Sequence, residues 1–115
     1  MGEASNFINA PVAAAALTQL LAWGIEAVAE TLKVKTRAIA AHAQRLDLLT
    51  APEQCRAPHM IGITHAQGFP SELPKRLADE RVFVSLRGDT IRISPHLYNS
   101  DRDIERLFAV LATVV

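Results

Sequence analysis

The chain has 115 residues, twelve Lys and Arg against twelve Asp and Glu, and one cysteine, Cys55. Balanced charge supplies no long-range field to recruit nucleic acid or an anionic membrane, and a lone cysteine rules out an internal disulfide. The length is close to the commonest domain size, so one domain over 1–115 with a modest core is expected. No basic-then-apolar leader is visible, and the apolar run from Ala13 to Gly24 is interrupted by Thr18 and Gln19. That run falls short of the roughly 20 residues a membrane span requires. The expectation is a cytoplasmic protein with neither membrane nor nucleic-acid partner.

Residues 1–8 show no period and are expected as an extended arm. Asn9 offers a cap and Pro11 suits the first turn of a helix. Leu17, Leu21, Ile25, Val28, Leu32, Ile39 and Leu46 recur at steps of three, four and seven, which predicts one apolar helical face. Gly24 costs about 1 kcal/mol relative to alanine inside a helix, so a kink or break near Trp23-Gly24 is expected, with the second helix running to about Leu48. The helical segment is therefore 9–49. Thr50 to Pro58, with Pro52 and Pro58, reads as a loop, and His59 to Thr64 as a strand.

The remaining 58–115 is expected as a small α+β unit. Gly68, Pro70 and Ser71 announce a short helix, where Pro74 is tolerable in the first turn and Leu73 and Leu77 face the core. Val82, Val84 and Leu86, then Gly88-Asp89, then Ile91 and Ile93, form the pattern of a hairpin with a two-residue, glycine-first turn. Ser100 and Asp103 make a capping pattern ahead of Ile104, Leu107, Phe108 and Leu111. The order predicts a small, mainly antiparallel sheet of about three strands with helices on one face, preceded by a long N-terminal helical segment.

On the second strand of that hairpin Arg92 must point away from Ile91 and Ile93, because successive side chains face opposite sides of a sheet. A rigidly held guanidinium matches a carboxylate with two parallel hydrogen bonds; the alternative is a solvated surface arginine. The stretch HMIGITHAQGFPSELPKRLADERVFVSLRGDTIRISPHLYNSDRDIERL resembles the C-terminal small domain of the class V aminotransferase family, the fold-type I pyridoxal-phosphate enzymes that include kynureninase-like and cysteine-desulfurase-like members. It follows the family's closing order of strand, helix, hairpin with Arg-x-Ser, Tyr-Asn and last helix. NAPVAAAALTQLLAWGIEAVAETLKVKTRAIAAHAQRL resembles the helix that crosses between the large and small domains. The resemblance implies that Arg92, in Arg92-Ile93-Ser94, binds a substrate's α-carboxylate.

The resemblance also implies pyridoxal phosphate for a complete enzyme, but its Schiff-base lysine, pyridine partner and phosphate turn lie upstream of the matched region. Lys33, Lys35 and Lys75, the only lysines, stand in no such context. No catalytic, cofactor-binding or metal-binding residue is therefore expected, and the isolated chain is not expected to catalyse alone. Two partners follow: a missing large cofactor-binding domain, or a second copy in a homodimer. The alternative is a stand-alone, homo-oligomeric interaction module that kept the fold without the cofactor domain; an independent small enzyme is the least supported.

Other candidates have plainer explanations. His42, His59, His65 and His96 with Cys55 match no zinc spacing. Cys55 as a nucleophile would need a base, and only Arg56 and His59 are near it in sequence. Arg87 is placed in the hairpin turn and assigned nothing, and Arg87-Gly88-Asp89 is ordinary turn chemistry rather than an adhesion signal. Ser5 and Asn6 stand where the resemblance would put small polar residues near a neighbouring subunit's cofactor phosphate.

Overall fold

A computed structural model describes residues 7–115. The element order is α1 (Asn9–Trp23), α2 (Ile25–Arg45), β1 (Leu49–Thr50), β2 (Ile61–Thr64), α3 (Leu73–Asp79), β3 (Ser85–Arg87), β4 (Thr90–Ile93) and α4 (Asp101–Leu111). The fold is α+β. Its sheet is antiparallel throughout, in the order β1-β2-β4-β3. Ser5 and Asn6 lie outside the described residues, and Phe7-Ile8 form a turn directly before α1.

The core is set by the β2–β4 register, which places Ile61 opposite Ile93 and Ile63 opposite Ile91, all four buried. Burying each relative to exposing it contributes about 1.5–3 kcal/mol. Helix α2 meets this face with Ile39 and Ala43, α3 with Leu73 and Leu77, and α4 with Ile104, Leu107, Phe108 and Leu111. The expected α3 core pair and the α4 apolar stripe are thus in place. Val82 and Val84 also pack against the core, although ladder pairing begins only at Ser85. The turn is glycine-first: Arg87 pairs with Thr90, and Gly88 carries φ +58°.

The single apolar helical face predicted from Leu17 to Leu46 is divided in two. Gly24, at φ +83°, ends α1 by donating its N–H to Leu20 and Leu21 carbonyls and starts α2 by accepting from Val28. The helix axes turn by 81° there. Leu32 and Ile39 on α2 are buried, whereas Leu17, Leu21 and Ile25 are exposed, and α1 buries no residue. A residue without Cβ adopts that backbone freely, so the kink or break expected near Trp23-Gly24 is a break between two helices at Gly24.

Helix α2 also stops three residues before the expected Leu48. The N–H of Asp47 donates to the Gln44 carbonyl and that of Leu48 to the Ala43 carbonyl, with Asp47 at φ +55°. This is a Schellman ending built on aspartate rather than glycine, which removed the sequence signal. The chain then enters β1, so Thr50, assigned to a loop, pairs with Ile63. A 3₁₀ turn, Glu53–Cys55, follows and is tied to α2 by Arg37, whose Nε and Nη2 lie 2.8 and 2.6 Å from Glu53 Oε1. The hydrogen bond from Arg37 holds the Glu53 carboxyl below its ordinary range.

Helix α4 begins as expected. The Ser100 N–H donates to Asp103 Oδ2 at 2.7 Å and the Ser100 hydroxyl donates to the same atom at 3.0 Å. The backbone donor, then the hydroxyl, hold the Asp103 carboxyl below its ordinary 3.8.

Two outcomes test these ends. Asp47→Gly should stabilise the fold by about 0.5–1 kcal/mol in denaturant unfolding, because glycine adopts the left-handed position without a Cβ clash. A carboxyl whose folded pKa is depressed stabilises at pH above its unfolded value and loses that contribution as pH falls through the folded value. The Tm difference between the wild type and Asp103→Asn should therefore be flat at neutral pH and shrink as pH falls below about 4.

Candidate functional site

The sheet face opposite the core can be read from register. Gly62, Arg92 and Ser85 lie across from one another on β2, β4 and β3, and Thr64, Thr90 and Arg87 form the next row. None of these six residues is buried. Arg92 therefore stands on the outer face, as alternation requires, half-buried in the sheet's second-innermost position.

The two residues directly opposite Arg92 are small, so neither places a large side chain straight across from the guanidinium. A Cβ at position 62 would meet Thr90 Cγ2 at 3.0 Å, a tight contact that the threonine side chain would have to yield to. Among the described residues no carboxylate lies within ion-pair distance of Arg92, and no hydrogen bond engages its side chain. A guanidinium on a rigid strand, flanked by small residues and without an internal counter-ion, can accept a planar anion with two parallel hydrogen bonds.

Arg87 belongs to the same face. It is the last residue of β3 rather than part of the turn, and it is diagonal to Arg92, roughly 7–8 Å between Cα atoms in such pairs. Sequence reasoning missed it because the turn was read one residue too wide; the Gly88-Asp89 pair alone closes the hairpin.

The lysines are engaged elsewhere. Lys33 Nζ lies 3.9 Å from Glu53 Oε1, Lys35 donates to the Asn99 carbonyl, and Lys75 pairs with Asp79 at 2.6 Å. Lys33 and Lys35 lie on α2 and Lys75 on α3, none of them on the outer sheet face.

The histidines and the cysteine are scattered too. His42 stacks on Phe108 at 5.1 Å and His96 on Tyr98 at 5.2 Å between ring centroids, while His65 Nδ1 lies 2.8 Å from the Gly68 carbonyl oxygen. Cys55 is exposed at the end of the 3₁₀ turn. Among the described residues no three His, Cys, Asp or Glu converge on a metal position, and no single helix is long and apolar enough to cross a membrane.

With this geometry in hand, the fold finds a counterpart in a solved structure. The chain is similar to a NifS-like protein, with a TM-score of 0.64 and 17% identity over 76% of its residues. The likeness is one of fold. The chain spans 29% of that protein's length. By sequence it matches no family model and no curated protein.

Proposed function

We propose that the chain acts as the small domain of a pyridoxal-phosphate-dependent enzyme of the class V aminotransferase type, contributing Arg92 to a site whose lysine and cofactor cradle belong to another domain or chain. The observation that carries the reading is the unpaired Arg92 guanidinium on the outer sheet face between Gly62 and Ser85. Its position in Arg92-Ile93-Ser94 matches the family's carboxylate-binding element, and the fold likeness to a NifS-like protein supports the assignment. Cofactor chemistry would come wholly from the missing part; this chain's role is to hold and orient the substrate carboxylate. The family scaffold serves several reactions, so the proposal stops at an amino-acid substrate.

In an enzyme completed by a lysine-bearing domain, Arg92→Ala should lower kcat/KM by about 2–4 kcal/mol, and Arg92→Lys should keep the charge while losing the two-pronged geometry. The fold should survive both changes, since Arg92 contributes no internal bond. Unaltered kinetics with an amino-acid substrate would remove the assignment.

A second reading, a stand-alone module that self-associates as a homodimer, is favoured by α1. Asn9–Trp23 contains no charged residue, is apolar on all sides and buries nothing. A helix apolar all round is ordinarily enclosed by other protein. Val12, Leu17, Leu21 and Trp23 are all exposed around the helix, and uncovered apolar surface on this scale usually marks an interface. In the first reading a large domain would cover it; in the second, the α1 of another copy would, most simply about a two-fold axis. Sedimentation of the isolated chain should show concentration-dependent dimers, and replacing Leu17 and Leu21 with glutamate should shift them to monomers with unchanged circular dichroism. A monomer at high concentration would discard the homodimer reading.

A further inference from the structure

A cleft of about 320 Å³ opens between the 82–84 segment, the turn from Ser94 to Asn99 and α4. Its floor is the outer edge of the core, where the buried side chains of Ile39, Ile104 and Leu107 line the bottom of the opening. Its rim carries two aromatic and two cationic side chains, Phe83, Tyr98, Arg81 and Arg106. Arg92 does not line it, so the cleft is separate from the outer sheet face.

The fold accounts for none of the four rim side chains. Phe83 is 84% exposed, the outward member of a segment whose Val82 and Val84 pack inward. Tyr98 is 82% exposed and touches only the edge of the structure by stacking on His96. Large aromatics left this open next to a cavity are informative in a way that scattered surface leucines are not. Neither guanidinium makes a hydrogen bond or an ion pair among the described residues. One carboxylate, Asp103, also lines the cleft and lies near Arg106, but its Oδ2 already accepts from the Ser100 N–H and hydroxyl.

Arg81 supplies an independent clue. It sits at φ +56° as the left-handed residue of a Schellman ending: its N–H donates to the Ala78 carbonyl at 2.9 Å, and the Val82 N–H donates to the Leu77 carbonyl at 2.8 Å. Glycine fills that position without strain, whereas a long side chain does not. A strained arginine whose guanidinium bonds to nothing in the fold, at the lip of a cleft, points to a side chain kept for something it binds.

We propose that this cleft binds a small aromatic carboxylate. The ring inserts between Phe83 and Tyr98 over the aliphatic floor, where offset or edge-on aromatic contacts are favourable. The carboxylate turns outward to Arg81 and Arg106, which meet it with charge-assisted hydrogen bonds. Two cations against one engaged carboxylate make the rim select an acid over an amine. The volume, at the small end for ligand sites, suits a single ring with a short acidic chain.

The probe is 3-phenylpropionate, titrated into the intact chain and followed by heteronuclear NMR, beside acetate, phenethylamine and the neutral 3-phenylpropanamide. Saturable shifts at cleft residues are expected with a roughly millimolar Kd, acetate and phenethylamine being about tenfold weaker or worse. Arg81→Gly should act in opposite directions: a thermal midpoint higher by about 4 °C as the strain disappears, with about tenfold weaker binding of the acid and unchanged binding of the amide. Phe83→Ala should weaken acid and amide alike without altering the fold, since Phe83 is almost fully exposed. No saturation by about 20 mM, equal affinity for the amine, indifference to Phe83→Ala, or an Arg81→Gly chain that gains stability and keeps its affinity would each overturn the proposal.

Discussion

The pairing of Ile61 with Ile93 and of Ile63 with Ile91 is the constraint on which the rest of the molecule depends. Four isoleucines on one face of two central strands give three helices a common apolar surface, and a shift of one residue would turn all four into solvent. The same register fixes the opposite face. Because side chains alternate, the placement of Ile91 and Ile93 inward leaves Arg92 no choice but outward, and the partners across from it become Gly62 and Ser85. The backbone from which Arg92 projects is thus fixed by core packing.

A second division of labour runs along the helices. Helix α2 belongs to the sheet: Ile39 and Ala43 enter the core, Thr36 bonds to the Pro58 carbonyl, and Lys35 reaches the Asn99 carbonyl beside α4. Helix α1, beyond Gly24, contributes nothing to that core. An uncharged helix with no buried residue leaves its apolar surface uncovered by the rest of the fold.

Charged residues fall into two groups. Lys33, Arg37, Lys75 and Asp103 are held by named partners and act as ties between elements or as caps. The guanidinium groups of Arg81, Arg87, Arg92 and Arg106 make no hydrogen bond or ion pair among the described residues, as is also true of Arg45, Arg56 and Arg102; the first four lie at the outer sheet face and at the mouth of the cleft. A surface arginine that is merely solvated needs no particular backbone. Arg92 on a central strand and Arg81 in a left-handed turn both have one imposed.

Much of this was legible in residue order because it rests on local periodicity. Alternation gave the hairpin and the outward Arg92; the Ser100 and Asp103 spacing gave the start of α4; Gly24 marked the break in the helices; Leu73 and Leu77 were recognisably core. Other features were decided only by tertiary structure. The 81° turn at Gly24, which takes Leu17 and Leu21 away from the face shared by Leu32 and Ile39, depends on a backbone angle that composition does not encode. The helix ends at Asp47 and Arg81 lack the glycine that signals them, so the added strand β1 and the strained arginine were both hidden. The row of Gly62, Arg92 and Ser85 and the cleft under Phe83 and Tyr98 join residues from separate segments. Sequence alone ordains which side of its own strand a residue faces, whereas its neighbours across the sheet are set by the packing that chooses the register.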